Sequence, residues 1–502
     1  MNFTSQLFIF IFLPICLASY FTVEGMEKVV FFGRYIRKFR IKDLLLISFS
    51  LVFYLWYCFP DVFRLCFYII GVYGAGLWVQ NIGRKKQYLQ VFEESENSET
   101  SNTRKIPMSI FSMLTTVFFI LFILIHFKYK DVLVRCWNFL LGDDLAVSPI
   151  VAPLGISFIT FSAISYLIDI YKAKAQADNL LDCMLYLSFF PKVVSGPLIL
   201  WKDFKAAITD RRTSLENIVD GLNRIMIGFI KKLILADQFG ICVSRIPLEG
   251  IDMISAWGSA LLYMLQIYYD FSSYSDIAIG ISRLFGFRFK ENFNFPYRSK
   301  SLSEFWRRWH ISLGTWFREY VYFPMGGSRR GQSRTLFNLA VVFGLTGLWH
   351  GSTKNYILWG AVNGGVVLLE RLIQDKRWYQ KVPGVIRWLI TMGITFFCWQ
   401  FFRFASLSDV FRNTRIMCGI LRFDEIYYTW EYYFDKQIMV FAIIGIVGAI
   451  LFGDKRIQEG YRRFTARSFG FVVQEIVLLL LFCVAILFVV NSVYYPFIYF
   501  QY

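Results

Sequence analysis

Residues 341–365 read VVFGLTGLWHGSTKNYILWGAVNGG. An apolar run ends on a histidine, a short polar GSTK segment follows, and a second apolar run begins at once. Traced outward, the two runs become 335–350 and 355–373, each long enough, or nearly so, to cross a bilayer as a helix. The stretch therefore reads as a helical hairpin in lipid with His350 near its turn. Gly344, Gly347, Gly351 and Ser352 keep the surroundings small, which lets backbone or substrate approach closely. A histidine in such a place either hydrogen-bonds a neighbouring helix or moves protons, and spacing alone leaves both open.

The rest of the chain repeats the pattern. Further apolar runs fall at 6–23, 43–59, 62–82, 107–127, 148–170, 183–200, 222–243, 254–282, 384–404, 437–453 and 470–491. Glycine and proline break some of them, at Pro153–Gly155, Pro191 and Gly196–Pro197, as expected of segments that bend or re-enter where protein covers the backbone. The sequence thus predicts an all-α integral membrane protein with about eleven true spans. Of the 502 residues, 56% are hydrophobic and only 18% charged, against about 25% in a soluble domain. The net charge of +17 sits in short loops beside apolar runs, which points to membrane topology and not to nucleic acid.

Loop charge gives an orientation. Residues 24–42 hold Lys28, Arg34, Arg37, Lys38, Arg40 and Lys42 against Glu24 and Glu27, so that loop is expected in the cytoplasm and the N-terminus outside. The basic loops 328–334, 371–387 and 454–468 fall on the same side, while 405–436 is nearly charge-balanced and reads as external. His350 then lies toward the outer end of its helix. The run 6–23 lacks a basic n-region and a cleavage site, so it reads as a retained first span. The nine cysteines are scattered without a C-x-x-C, and His126, His310 and His350 lie far apart, so no disulfide framework or metal site is expected. His126 reads as an interfacial structural residue.

The densest polar region is 266–334. From Arg283 to Arg334 it carries eleven basic residues against Glu291, Glu304 and Glu319. These are either snorkelling arginines or an electropositive mouth for an anionic donor. Within it, RRWHISLGTWFREYVYFPMGG (307–327), paired with GLWHG around His350, resembles the membrane-bound O-acyltransferase (MBOAT) family. More narrowly it is similar to the bacterial branch that acetylates alginate and D-alanylates teichoic acid. The resemblance runs through FTSQLFIFIFLP, PLGISFITFSAISYLIDIY (153–171), LYLSFFPKVVSGPL (185–198) and YYDFSSYSDIAIGISRLFGF (268–287).

The resemblance implies a ring of tilted helices around a central tunnel joining a cytoplasmic donor side to an outer acceptor side. It makes His350 the essential histidine, a general base for a hydroxyl attacking a thioester, and His310 a second one. Arg307, Arg308 and Arg318 are the expected donor-binding cations. Asn355 and Asn363 are considered as oxyanion donors. The tail FIYFQY is similar to an acyl-carrying C-terminal motif of a small partner in D-alanylation. That reading makes 494–502 an extracytoplasmic carrier-like tail on a single multi-pass domain, with Tyr499 the carrier and Tyr494, Tyr495 and Tyr502 its competitors.

The expected activity is transfer of an acetyl group from acetyl-CoA or another cytoplasmic thioester, with no bound cofactor. The acceptor is a cell-envelope polysaccharide, reached in the bacterial plasma membrane with an extracytoplasmic acetyltransferase as partner. The alternative within the family is D-alanyl transfer from an acyl carrier protein to teichoic acid. A non-catalytic transporter or flippase would instead show paired intramembrane charges and inverted repeats, and neither is legible in the sequence.

Overall fold

The computed structural model describes residues 3–93, 108–146 and 152–491, which form helices and loops without a strand. The expected carrier tail, 494–502 with Tyr499, lies outside the described residues. Seven of the described helices are long and apolar enough to cross a membrane. Their outward surfaces are apolar: Phe118 and Phe139 leave 71% and 88% of their surface uncovered, which lipid accommodates and water does not. The chain falls into two compact units, 1–214 with 282–289, and 215–281 with 290–502.

The first unit holds the candidate spans Phe8–Glu27, Phe59–Ile82 and Ile110–Leu141. In the described part of the run expected over 148–170, the helix begins at Ile156, after Gly155 at φ +67, where a Cβ would meet the Val193 carbonyl oxygen at 2.4 Å. On this helix Ser162, Ser165 and Asp169 share one face. They receive the Lys192 ammonium at 3.0 Å, the Trp201 amide at 2.9 Å and the Lys202 amide at 3.0 Å. The run 183–200 is not one helix. It breaks at Phe189 and turns through Pro191, with Phe189, Phe190 and Lys192 all buried.

In the second unit the run 222–243 is one helical stretch carrying a π-helical turn, Lys231–Ala236, between Leu215–Ile230 and Asp237–Arg245. It packs closely on Met253–Leu284, because a Cβ on Gly228 would lie 2.6 Å from Ile277 and one on Gly280 would lie 2.7 Å from the Gly221 carbonyl. This pair of helices corrects one expectation. Buried charges do pair here: Lys232 bridges Asp237 and Asp270 at 2.7 and 2.6 Å, and Lys231 reaches Asp276 at 2.7 Å. Partners 38 and 45 residues apart cannot be recognised as pairs from spacing along one chain. The remaining candidate spans, Lys354–Ile373, Gly384–Arg403, Lys436–Gly453 and Ser468–Val489, all belong to this unit.

Candidate active site

The hairpin is as read. Gln332–His350 ends on His350, and Lys354–Ile373 returns against it. The glycines act first on helix contact: a Cβ on Gly347 would lie 2.8 Å from the Tyr356 carbonyl oxygen and 3.3 Å from the Gly360 Cα. Gly360 and Gly347 thus bring the two backbones together, as small residues do in lipid. Gly351 is extended, and a Cβ there would strike the Tyr356 ring at 2.4 Å. Gly344 has open space instead.

A cavity of about 380 Å³ follows one face of this hairpin. Thr335, Leu339, Val342, Thr346 and His350 all line it, so it extends along about 22 Å of helix. The antiparallel helix contributes Trp359 near the His350 end and Arg371 with Gln374 at the other. Arg307 and Arg318 also line the cavity, and both are exposed, as is Arg371. None of the three is ion-paired among the described residues. The cavity therefore joins a basic mouth to a histidine.

His310 reaches the same cavity from a second, shorter hairpin. Leu302–Arg308 and Ile311–Phe317 are both seven residues, too short to cross, and His310 sits between them at φ +46. The first is fixed at its start by Glu370 of the returning helix, which accepts from the amides of Leu302 and Ser303 at 2.6 and 2.8 Å and from the Ser303 hydroxyl at 2.7 Å. A carboxylate there satisfies the free amides of a helix N-terminus. The left-handed turn at His310 is held by Asn292. Its carbonyl oxygen accepts from the Ile311 amide at 2.9 Å, and its side-chain oxygen accepts from the Ser312 amide and hydroxyl at 3.2 and 2.9 Å.

That side-chain oxygen also lies 3.2 Å from His310 Nδ1, while the Asn292 amide donates to Ser275 Oγ at 3.0 Å. Since Oδ1 is the acceptor throughout, Nδ1–H is the donor, and Nε2 carries the lone pair. Nε2 is buried and has no hydrogen-bond partner among the described residues.

His350 is 6% exposed and enclosed by rings, with Trp359 and Phe402 each 5.0 Å away between centroids. The indole nitrogens of Trp306, Trp359 and Trp399, three residues that line the cavity, are buried and have no acceptor among the described residues. Buried donors without partners are rare and need a reason.

Three expectations are relocated. Arg308 does not line the cavity: its guanidinium holds Glu304 at 2.8–2.9 Å and the Asn294 carbonyl at 3.2 Å. Asn355 donates to the Phe404 carbonyl at 2.7 Å and Asn363 to the Trp359 carbonyl at 2.8 Å, so their amides are spent on helix ends and turns instead of on an oxyanion. Sequence reasoning missed Asn292 and the indoles. The only sign of Asn292 was its place in the polar 266–334 region.

The chain matches known proteins along most of its length. The family model described as MBOAT, membrane-bound O-acyltransferase family, matches residues 65–407. The probable alginate O-acetylase AlgI of Pseudomonas aeruginosa is 34% identical over 423 residues, covering 83% of this chain and 75% of that protein. The peptidoglycan O-acetyltransferase of Helicobacter pylori is 28% identical over 454 residues, covering 83% and 80%. The teichoic acid D-alanyltransferase of Streptococcus thermophilus is 28% identical over 286 residues, 51% of this chain and 69% of that one. This chain is a multi-pass membrane acyltransferase and belongs to the membrane-bound O-acyltransferase family.

Proposed function

We propose that the chain passes an acetyl group from a cytoplasmic thioester, acetyl-CoA or a similar donor, to the O-acetylation of a cell-envelope polysaccharide. The observation that carries this reading is one cavity that has arginines without ion-pair partners among the described residues at one end, His350 at the other, and His310 on its wall. The relatives that cover most of this chain are named for polysaccharide O-acetylation, and the D-alanyltransferase covers about half of it. The fuller architecture is a ring of about eleven helices around this tunnel in the bacterial plasma membrane, with both termini extracytoplasmic.

The phosphates of the donor are held at Arg307, Arg318 and Arg371 with the acyl end directed inward. His350 takes the proton of an attacking hydroxyl. The hydroxyl oxygen bonds to the thioester carbonyl carbon, the C–S bond breaks, and the thiolate leaves with the proton that the imidazolium returns. The oxyanion formed on the way accepts hydrogen bonds from the orphan indole N–H groups, first that of Trp359. His310, with its tautomer fixed, serves the donor side of the same transfer.

The attacking hydroxyl on the outer side is assigned to Tyr499 of the tail, which carries the acetyl ester to an extracytoplasmic acetyltransferase partner. His350→Ala is expected to abolish surface O-acetylation at normal protein abundance, and Tyr499→Phe to do the same by removing only the hydroxyl. Mass analysis of the polysaccharide reads both. Normal acetylation in His350→Ala sinks the site, and normal acetylation in Tyr499→Phe alone sinks the carrier.

A further inference from the structure

Beyond the cavity, the second unit carries an open cleft of about 1100 Å³, lined by Tyr427, Tyr428, Tyr432 and Tyr433 together with Gln238, Arg245, Asp435 and Gln437. It lies at the same end of the helices as His350. Gln332–His350 finishes there, and Asn355, just past the turn, holds the Phe404 carbonyl at the finish of Gly384–Arg403. From that point the chain enters the 405–435 segment that supplies the tyrosines. We propose that this cleft docks a pyranose polymer, presenting the polysaccharide on the face where the acyl group emerges. The proposal rests on the polysaccharide reading above.

Three observations carry it. The rings are offered outward: Tyr427, Tyr428 and Tyr432 are 62%, 52% and 63% exposed, and Tyr428 stacks face to face on Tyr432 at 4.1 Å, so the pair offers its outer ring face as a flat wall. Such a wall suits the C–H face of a sugar ring, and its hydroxyls suit the sugar's edge. Two amides, a guanidinium and a carboxylate converge beside it, a mixed donor and acceptor set for hydroxyl-rich ligands. An interfacial aromatic belt spreads rings around the lipid-facing perimeter, whereas these are gathered on a concave surface with both signs of charge.

The cleft is also preformed. The Tyr427 amide donates to the Gly250 carbonyl at 2.9 Å, and Trp430 N–H donates to Asp252, whose other oxygen caps Ser255 at 2.6 Å. Gly250 at φ +64 lies under the Tyr427 ring, where a Cβ would approach to 2.4 Å. A rigid platform loses little freedom on binding.

The test uses the full chain purified in detergent, titrated calorimetrically with an oligomannuronate and with an N-acetylglucosamine oligomer, while thiol release from acetyl-CoA is followed in the same preparations. One glycan is expected to bind with a dissociation constant of about 1 mM or tighter. Tyr428→Ala, Tyr432→Ala and the exposed Gln437→Ala should each weaken it about tenfold and leave thiol release unchanged. Failure of both glycans to bind overturns the cleft, even if the variants lose acetylation in cells, since that result marks a protein-docking surface. Unchanged binding in the three variants overturns it as well. A preparation that binds glycan in a Tyr428-dependent way but releases no thiol keeps the cleft and sinks the acyl-transfer site instead.

Discussion

Asn292 Oδ1 lies 3.2 Å from Nδ1 of His310, and the same asparagine also accepts from the backbone that follows the histidine, so one residue fixes both the ring's proton and the turn that carries it. A histidine so tethered presents the same nitrogen to the cavity at every turnover. Asn292→Ala leaves buried donors unpaired, which costs about 1–3 kcal/mol of stability, and frees the tautomer. Acyl transfer is expected to drop about 10²-fold, in kcat more than in KM. Asn292→Asp keeps the acceptor oxygen and should restore most of the rate, whereas Asn292→Leu should not. Equal losses in Asp and Leu variants would reduce Asn292 to a packing role.

The orphan indoles give a second prediction. Trp359 is 1% exposed, and its ring centre is 5.0 Å from that of His350. Trp359→Phe preserves the ring wall and deletes one donor. Loss of an oxyanion donor is worth about 10²–10³-fold in kcat, so a fall of that order with KM for the donor unchanged is expected. Single-turnover acyl transfer at saturating acetyl-CoA measures it, and a change below about twofold would move the oxyanion elsewhere.

Much of this was legible in sequence, and the failures have a common cause. The hairpin at His350 is announced by two apolar runs and a polar turn, because lipid imposes that pattern on any helix it surrounds. Hydropathy cannot tell a residue facing lipid from one buried in protein. Phe118 and Phe190 look alike in the chain, yet one is 71% exposed and the other is fully enclosed in a broken segment. That is why 183–200 reads as a spanning run in the sequence. Asn292 and Trp359 are legible only once folding brings them to a histidine, since nothing in the NFNFPYR or ILWGAVN context marks them. Arg307 and Arg308 are neighbours of the same type, and only helix direction separates them.

The glycines of the hairpin yield a paired prediction. A methyl on Gly347 must displace the Tyr356 carbonyl, a backbone atom 2.8 Å away, whereas a methyl on Gly365 of the returning helix meets nothing within 4 Å. Gly347→Ala is expected to destabilise by about 1–3 kcal/mol through overpacking. Gly365→Ala should be neutral or stabilise by about 0.4–1 kcal/mol, as alanine does in a helix with space for it. Thermal unfolding in detergent ranks the two, and the reverse order would refute the contact as the reason for Gly347.

The adjacent arginines separate binding from scaffolding. Arg307 lines the cavity mouth without an ion-pair partner among the described residues, and Arg308 is engaged by Glu304 and the Asn294 carbonyl. A charge-assisted hydrogen bond to a phosphate is worth about 1.5–3 kcal/mol, so Arg307→Ala should raise KM for acetyl-CoA about tenfold or more, with kcat nearly kept. The effect should shrink in high salt, because an exposed guanidinium acting on an anion is screened. Arg308→Ala removes a half-exposed i,i+4 pair worth at most about 1 kcal/mol, so it should lower stability slightly and leave KM within about twofold. If instead Arg308→Ala raises KM and Arg307→Ala does not, the donor enters by another route and the basic end of this cavity is not its mouth.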